Sequence, residues 1–397
     1  MMRILMVSSY LPYPLFSGGD IRLYNLLKNL KREGYKITLI CEKRSHQGNS
    51  DVEKVREVCE KVLTVDRKKQ WSVQNLIRAN LSLNSFLSIG HNLPNMRKLI
   101  AEELRSKNYD IIHVETFYVY QNLPKTGLPV VLADHNVEYL VYRRLIKKMP
   151  LMIRPILGLD VLKIKREEER FWKRADRLIA VSKADKDIMG REGTVVVANG
   201  VDLKKFDIKR NSRKDKKENL ILFIGNFKWI QNIDSLKWII KEIWPAVLDL
   251  AKEKRLNIKL WVVGKRIPED LKIKGDENVY FDENAPDATE EIYKRADLLL
   301  APIRVGGGTS FKILESMASG LPVATTALGN EGIDGIPNRD ILICETSEEF
   351  AKIAIDILSD DEKYRQISQN ARDFIKENFG WENITKRLEA VYESLGR

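Results

Sequence analysis

Three residues able to handle a phosphorylated ligand, Arg304, Lys312 and Glu315, bracket the triplet Gly306, Gly307 and Gly308 in "RVGGGTSFKILESMASGLPVATT". Consecutive glycines cost backbone entropy, so their use implies that something approaches the main chain closely. An apolar run, "DLLLAPI", precedes the triplet, and a helical pattern, "SFKILESMASG", follows it. Thr309 or Ser310 can cap that helix and Gly320 can stop it. A strand, a glycine loop and a helix N-terminus together make an anion site, because N–H groups point outward and the helix dipole favours negative charge. Arg304 and Lys312 add full positive charges. Glu315, further along the helix, is an acceptor suited to paired hydroxyls such as those of a ribose. The spacing is neither GxGxxG nor GxxxxGK[ST], which excludes the common dinucleotide and P-loop fingerprints. The same glycines would also serve a tight turn that needs them only for packing.

The four histidines are His46, His91, His113 and His135. His46 and His91 lie in polar, loop-like surroundings and receive no role. His113 and His135 end the apolar runs "DIIHVE" and "VVLADHNVE". Both are therefore expected at the carboxyl edge of a parallel sheet, where such sheets bind ligands. Glu138 in the same stretch reads either as a cleft carboxylate or as a surface glutamate at a helix start. No Asp-x-Asp metal motif is present, and Cys41, Cys59 and Cys344 have no paired or zinc-like spacing. Unpaired cysteines point to a reducing, cytoplasmic setting.

These residues must be positioned by alternating strands and helices. "RILMVSS", "YKITLICE", "DIIHVE", "PVVLAD", "RLIAVS" and "TVVVANG" read as strands separated by helix-length segments. The basic stretch "KRNSRKDKKEN", Lys209–Asn219, reads as a solvated linker. The pattern restarts with "LILFIG", "IKLWVVG", "NVYFDE", "DLLLAPI" and "LPVATT". The expectation is an α/β protein of two doubly wound halves: 1–208, a linker at 209–219, and 220–378, with a final helix at 379–397. Two such sheets facing each other would form one deep cleft. The 397 residues, 44% hydrophobic and 31% charged, suffice for two cores. No apolar run reaches the length of a membrane span, and the N-terminal run reads as a buried strand rather than a signal peptide.

The net charge of +11 suits an anionic partner, or equally a lysine-rich solvated surface. With 8% aromatics and no stacking motif, a nucleic-acid partner is not expected. The stretch Tyr142–Arg174 mixes basic residues with Leu, Ile, Met and Phe. It could lie on an anionic membrane, or be a long helix with a core-facing stripe.

The glycine–helix segment, followed by "GNEGI", resembles the donor-binding segment of the retaining glycosyltransferases of family 4 (glycosyl transferases group 1), which have the GT-B fold. "SGGDIRLYNLLKNLKREGYKITLI", "DHNVEYLVYRR", "FWKRADRLIAVSKAD", "VVVANGVDLKKF", "FIGNF" and "ENFGWENITKRLEAVYE" occur in the family's order over nearly the whole chain. The resemblance implies a nucleotide-sugar donor held by the C-terminal half, with Glu315 on the ribose hydroxyls. Gly306, Gly307, Gly308, Thr309 and Ser310 would lie against diphosphate and sugar, and Gly18 and Gly19 beside the donor phosphate. His135 matches the family's active-site histidine.

The chain departs from the family at Gly307, where a second glutamate is common. It departs again in "GNFKWIQN", where Asn226 and Gln231 take the places of a common Arg and Lys. Arg304, Lys312 and Lys228 would supply that charge. The implied reaction is metal-independent transfer of a sugar, with no bound cofactor, to a hydroxyl of a glycan, a lipid-linked acceptor or a small molecule. Lys312 would stabilise the leaving diphosphate. The setting is the cytoplasm, with a peripheral contact at the inner face of the cell membrane. A sugar-nucleotide epimerase or a non-catalytic sensor of the same fold is the alternative.

Overall fold

The computed structural model describes residues 2–67, 70, 72–147, 149–210, 216–272, 276–284, 289–305 and 308–396. The chain divides into two compact units, Met1–Ala198 with Ile384–Arg397, and Asn199–Asn383. The division falls ten residues before the basic stretch read as a linker. Within that stretch Arg210 is only partly exposed. Its guanidinium donates to the main-chain oxygens of Tyr293, Ala296 and Ser319, all in the second unit. Asn211–Asp215 lie outside the described residues.

The first unit holds a seven-stranded parallel sheet. Its strands are β1 (Arg3–Ser8), β2 (Lys36–Lys43), β3 (Lys61–Asp66), β4 (Ile111–Glu115), β5 (Val130–Asp134), β6 (Arg177–Ala180) and β7 (Val195–Val196). Their order is β3-β2-β1-β4-β5-β6-β7. The second unit holds six parallel strands, β8 (Asn219–Ile224), β9 (Ile258–Val263), β10 (Val279–Asp282), β11 (Leu298–Ala301), β12 (Val323–Thr325) and β13 (Leu342–Ile343). Their order is β10-β9-β8-β11-β12-β13. Each central strand is apolar on both faces, as a parallel sheet covered by helices requires. Ile4, Leu5, Met6 and Val7 of β1 are fully buried, as are Leu298, Leu299, Leu300 and Ala301 of β11.

In both sheets the strand order reverses beside the first strand of the unit, between β1 and β4 and between β8 and β11. The crevice at the carboxyl ends of such a pair is where open α/β sheets bind ligands. In the first unit Ser8 and Glu115 stand paired at that edge. In the second unit the chain leaves β8 through Gly225 and Asn226, and leaves β11 through Pro302 to Arg304.

Candidate functional site

In the second unit the residues after β11 lead through Gly308, in the left-handed region at φ 76°, into the helix Phe311–Ala318. Ser310 occupies the cap position but makes no side-chain cap bond. Thr309 is buried, and its carbonyl accepts the Asn199 side-chain amide at 3.2 Å. Gly200, next in "ANGVD", lies so close to Trp381 that an added Cβ would fall 2.6 Å from the indole. Asn199 thus ties down Thr309, at the trailing edge of the glycine loop. Gly306 and Gly307 lie outside the described residues.

Lys312 and Glu315 are one turn apart on this helix, so their side chains share a face. Lys312 Nζ donates to Asn232 Oδ1 at 2.8 Å and stands 5.0 Å over the Phe223 ring of β8. Burial pushes its ammonium down to about 8. Asn232 in turn donates to the main-chain oxygen of Asn226 at 2.8 Å. Gly225 is required here, because a Cβ on it would fall 2.7 Å from the Asn232 side chain. Asn226 is therefore brought to Lys312 through Asn232, and its own Oδ1 accepts the Lys228 amide at 3.0 Å.

Glu315 Oε2 accepts the Tyr293 hydroxyl at 2.9 Å. Burial raises the Glu315 carboxyl to about 7, against the lowering effect of that bond and of Lys205. Arg304 is not free to serve as a bare cation: its Nε donates to Asp234 at 3.2 Å, and its guanidinium stacks 4.4 Å over Trp238.

In the first unit Ser17 caps the helix Gly18–Arg32 with a reciprocal bond to Asp20. Gly18 and Gly19 form its first turn. The Gly19 carbonyl accepts the Tyr10 hydroxyl at 3.2 Å. A Cβ on Gly19 would come within 3.2 Å of that oxygen and 3.7 Å of His135 Nδ1. His135, just past β5, bonds through Nε2 to Glu115 Oε2 at 2.5 Å. The other carboxylate oxygen faces His113 Nε2 at 3.3 Å, and His113 Nδ1 meets the Tyr392 hydroxyl at 2.7 Å. Burial alone would raise the Glu115 carboxyl. The two histidines outweigh it and hold Glu115 well below the usual carboxylate range. With Glu115 ionised, both Nε2 atoms donate to it, and Tyr392 donates to His113. His135 is left with Nδ1 toward the Gly19 backbone. Thr116, which follows Glu115, has φ 73°, a conformation costly for a β-branched residue.

Two readings of the sequence are corrected. Glu138 is not a surface glutamate: it accepts the Tyr118 hydroxyl at 2.6 Å, and burial raises its carboxyl. Its own amide donates to Glu168, whose carboxyl burial lifts to about 9. His91 is not loop-like either. It is buried, bonded to Glu42 at 2.7 Å and stacked on Tyr118. Tyr293, Asn232, Lys205 and Glu115 were not singled out from sequence. Of these only Glu115, a charged residue closing an apolar strand, carried a readable signal. Among the described residues, no three His, Cys, Asp or Glu are grouped so as to hold a metal ion.

The Glycosyltransferase Family 4 model matches residues 16–205, and the Glycosyl transferases group 1 model matches residues 218–360. An uncharacterized 44.6 kDa protein in the cps region of Klebsiella pneumoniae is 24% identical over 96% of this chain and 97% of its own length. An uncharacterized glycosyltransferase of Methanocaldococcus jannaschii is 28% identical over 56% of this chain and 60% of its own. Among solved structures, the sucrose-phosphate synthase of Thermosynechococcus elongatus superposes with a TM-score of 0.70 at 16% identity, covering 100% of this chain and 99% of the other. Anabaena HepE, solved with UDP and glucose, superposes at 0.64 with 15% identity and full coverage of both. With the two family models laid end to end over most of its length and two parallel-sheet domains matching GT-B structures, the chain belongs to the glycosyltransferases of family 4 and group 1.

Proposed function

We propose that this glycosyltransferase moves a sugar from a nucleotide-diphosphate donor to an acceptor hydroxyl, with retention at the anomeric carbon and without a metal ion. The observation that carries the reading is the Lys312–Glu315 face of the helix after the glycine loop. It offers an ammonium for the diphosphate and, one turn on, a carboxylate for the ribose. HepE, a structural neighbour, was solved with UDP and glucose, which supports a nucleotide donor here.

In this reading the bond from the anomeric carbon to the diphosphate breaks, and the acceptor oxygen bonds to that carbon on the same face. The acceptor proton passes to the departing phosphate oxygen. Lys312, the amides around Gly308 and Ser310, and the helix dipole stabilise the charge that develops on the diphosphate. Gly306, Gly307 and Thr309 belong to the same donor segment, and Arg304 contributes once drawn from Asp234. In the first unit, Gly18 and Gly19 are assigned to the donor phosphate and His135 to orienting the donor sugar. The acceptor is a hydroxyl of a glycan, a lipid-linked saccharide or a small molecule. The Tyr142–Arg174 stretch supports the lipid side and a place at the inner face of the cell membrane.

The test is a thermal-shift screen of UDP-, GDP-, ADP- and dTDP-sugars on wild type and Glu315→Ala. Saturation to about 100 times the dissociation constant stabilises by about 2.7 kcal/mol. A shift with one nucleotide, lost in the variant, supports the donor site and names the base. No shift with any of them overturns it. Product anomer analysis then decides retention, and binding without transfer would point to a sensor.

A further inference from the structure

We propose that the first unit carries a two-helix platform that docks on an anionic lipid bilayer. The helix Arg154–Arg174 buries Val161, Ile164 and Phe171 on one face. Ile156, Leu159 and Leu162, spaced three apart on another face, are exposed, and the preceding turn exposes Leu151, Met152 and Ile153. Met152 is 90% exposed. The helix Val73–Leu81 repeats the pattern: Val73, Ile77 and Leu81, four apart, are exposed, followed by Leu83. Leu81 is 84% exposed.

The two helices are linked, in part through the short helix Phe86–Gly90 and its cap Ser85. Lys163 Nζ donates to the Ala79 carbonyl at 2.6 Å, and Asp160 accepts the Phe86 amide at 2.9 Å. Ser85 donates to Glu167 at 2.5 Å through its hydroxyl and at 3.1 Å through its amide. Ten of the large apolar side chains exposed among the described residues therefore come from these two neighbouring segments. Exposed apolar side chains concentrated on two linked segments mark an interaction site.

Charge selects the occupant. Arg67–Asn84 contain four basic residues and no acidic one, and Tyr139–Arg166 contain eight basic residues against Asp160 alone. Asp160 is turned inward, to the Phe86 amide. Apolar stripes set among basic residues suit a helix lying in the headgroup region of an anionic leaflet. Among the described residues no helix is long and apolar enough to cross the membrane, so the contact is peripheral. The inference deepens the lipid side of the function proposed above; it rests on that reading for the acceptor, but not for the surface itself.

The experiment is co-sedimentation of the full chain with large unilamellar vesicles of phosphatidylcholine, alone or with about a third phosphatidylglycerol. Wild type is expected to bind the anionic vesicles and to release as salt is raised. The pair Met152→Asp and Leu159→Asp should cut partitioning at least about tenfold. The pair Arg78→Glu and Lys147→Glu should cut it about fivefold or more for each charge reversed. Both variants should keep the wild-type melting temperature and donor response. Three results would overturn the proposal. One is no binding to either vesicle, and another is unchanged binding by the apolar variant. The third is a wild-type dimer in sedimentation equilibrium that the apolar variant dissolves, which would assign the surface to a second copy. The donor screen is read separately, so its failure with vesicle binding intact would leave this surface standing.

Discussion

Glu115 holds His135 by a single 2.5 Å bond to Nε2, while its other oxygen faces His113. One buried carboxylate thus fixes two imidazoles, and His135 is presented with Nδ1 toward the Gly19 backbone. An oriented imidazole beside a carboxylate is a recurrent positioning device in enzymes.

Replacing Glu115 with Gln keeps the shape and removes the charge. Glu115 has a depressed pKa in the folded state, so its contribution to stability is present above the ordinary carboxylate range and disappears as pH falls through the folded value. Glu115→Gln is expected to lose about 3 kcal/mol at neutral pH, with the difference from wild type shrinking below pH ~4. Urea melts across pH measure this. Turnover should fall by more than KM rises, because the donor contacts of the second unit are untouched.

The pH behaviour of Glu315 has the opposite sign. Its carboxyl is raised to about 7 in the folded chain, so folding favours the protonated form. Stability should therefore decline from pH ~4.5 toward 7, with the full cost present above 7. Glu315→Gln is expected to stabilise the ligand-free protein at pH 8 by about 1–2 kcal/mol, while abolishing the thermal shift given by the donor. A variant destabilised at pH 8 would contradict the burial argument.

Lys312 is lowered to about 8 by burial. Donor affinity in the free enzyme should weaken as pH rises through that value. Lys312→Gln should weaken binding by about tenfold to a hundredfold, the scale of a charge-assisted hydrogen bond to phosphate. Asn232→Ala removes the Lys312 acceptor but not its charge, and should weaken binding less. Calorimetric titration of the nucleotide diphosphate at pH 7 and pH 9 distinguishes the two.

Gly19→Ala sets helix propensity against space. Alanine gains about 1 kcal/mol in a helix. Its Cβ would stand 3.2 Å from the Tyr10 hydroxyl and 3.7 Å from His135 Nδ1. Tyr10 must shift, so the net stability change should stay within about 1 kcal/mol. Activity should fall at least about tenfold, since misplacing a positioned group costs rate more than stability. Unchanged activity would show that nothing needs the space.

The strands around the site were legible because parallel strands covered on both faces are continuous apolar runs: β1, β4, β5, β8 and β11 read directly. β3, whose residues are only partly buried, and the two-residue β13 carried too little signal to be named. Lys312 and Glu315 were legible because helical spacing places them on one face. Tyr293, on the helix Thr289–Arg295, and Asn232, on the helix Ile230–Trp238, were not, because long-range contacts leave no local spacing. Arg210 misled for a related reason. A basic run reads as solvated, yet three main-chain carbonyls take one guanidinium out of it. Arg304 misled similarly, because Asp234 takes up a guanidinium that reads in sequence as a free charge.

Residues 384–397 belong with the unit that contains β1, and they bury Ile384, Leu388, Val391 and Tyr392. The first unit is thus built from two stretches of sequence with the whole second unit set between them. A fragment ending at residue 198 would leave His113 without its tyrosine partner and is expected to fold poorly alone, whereas residues 199–383 hold every segment of their own unit.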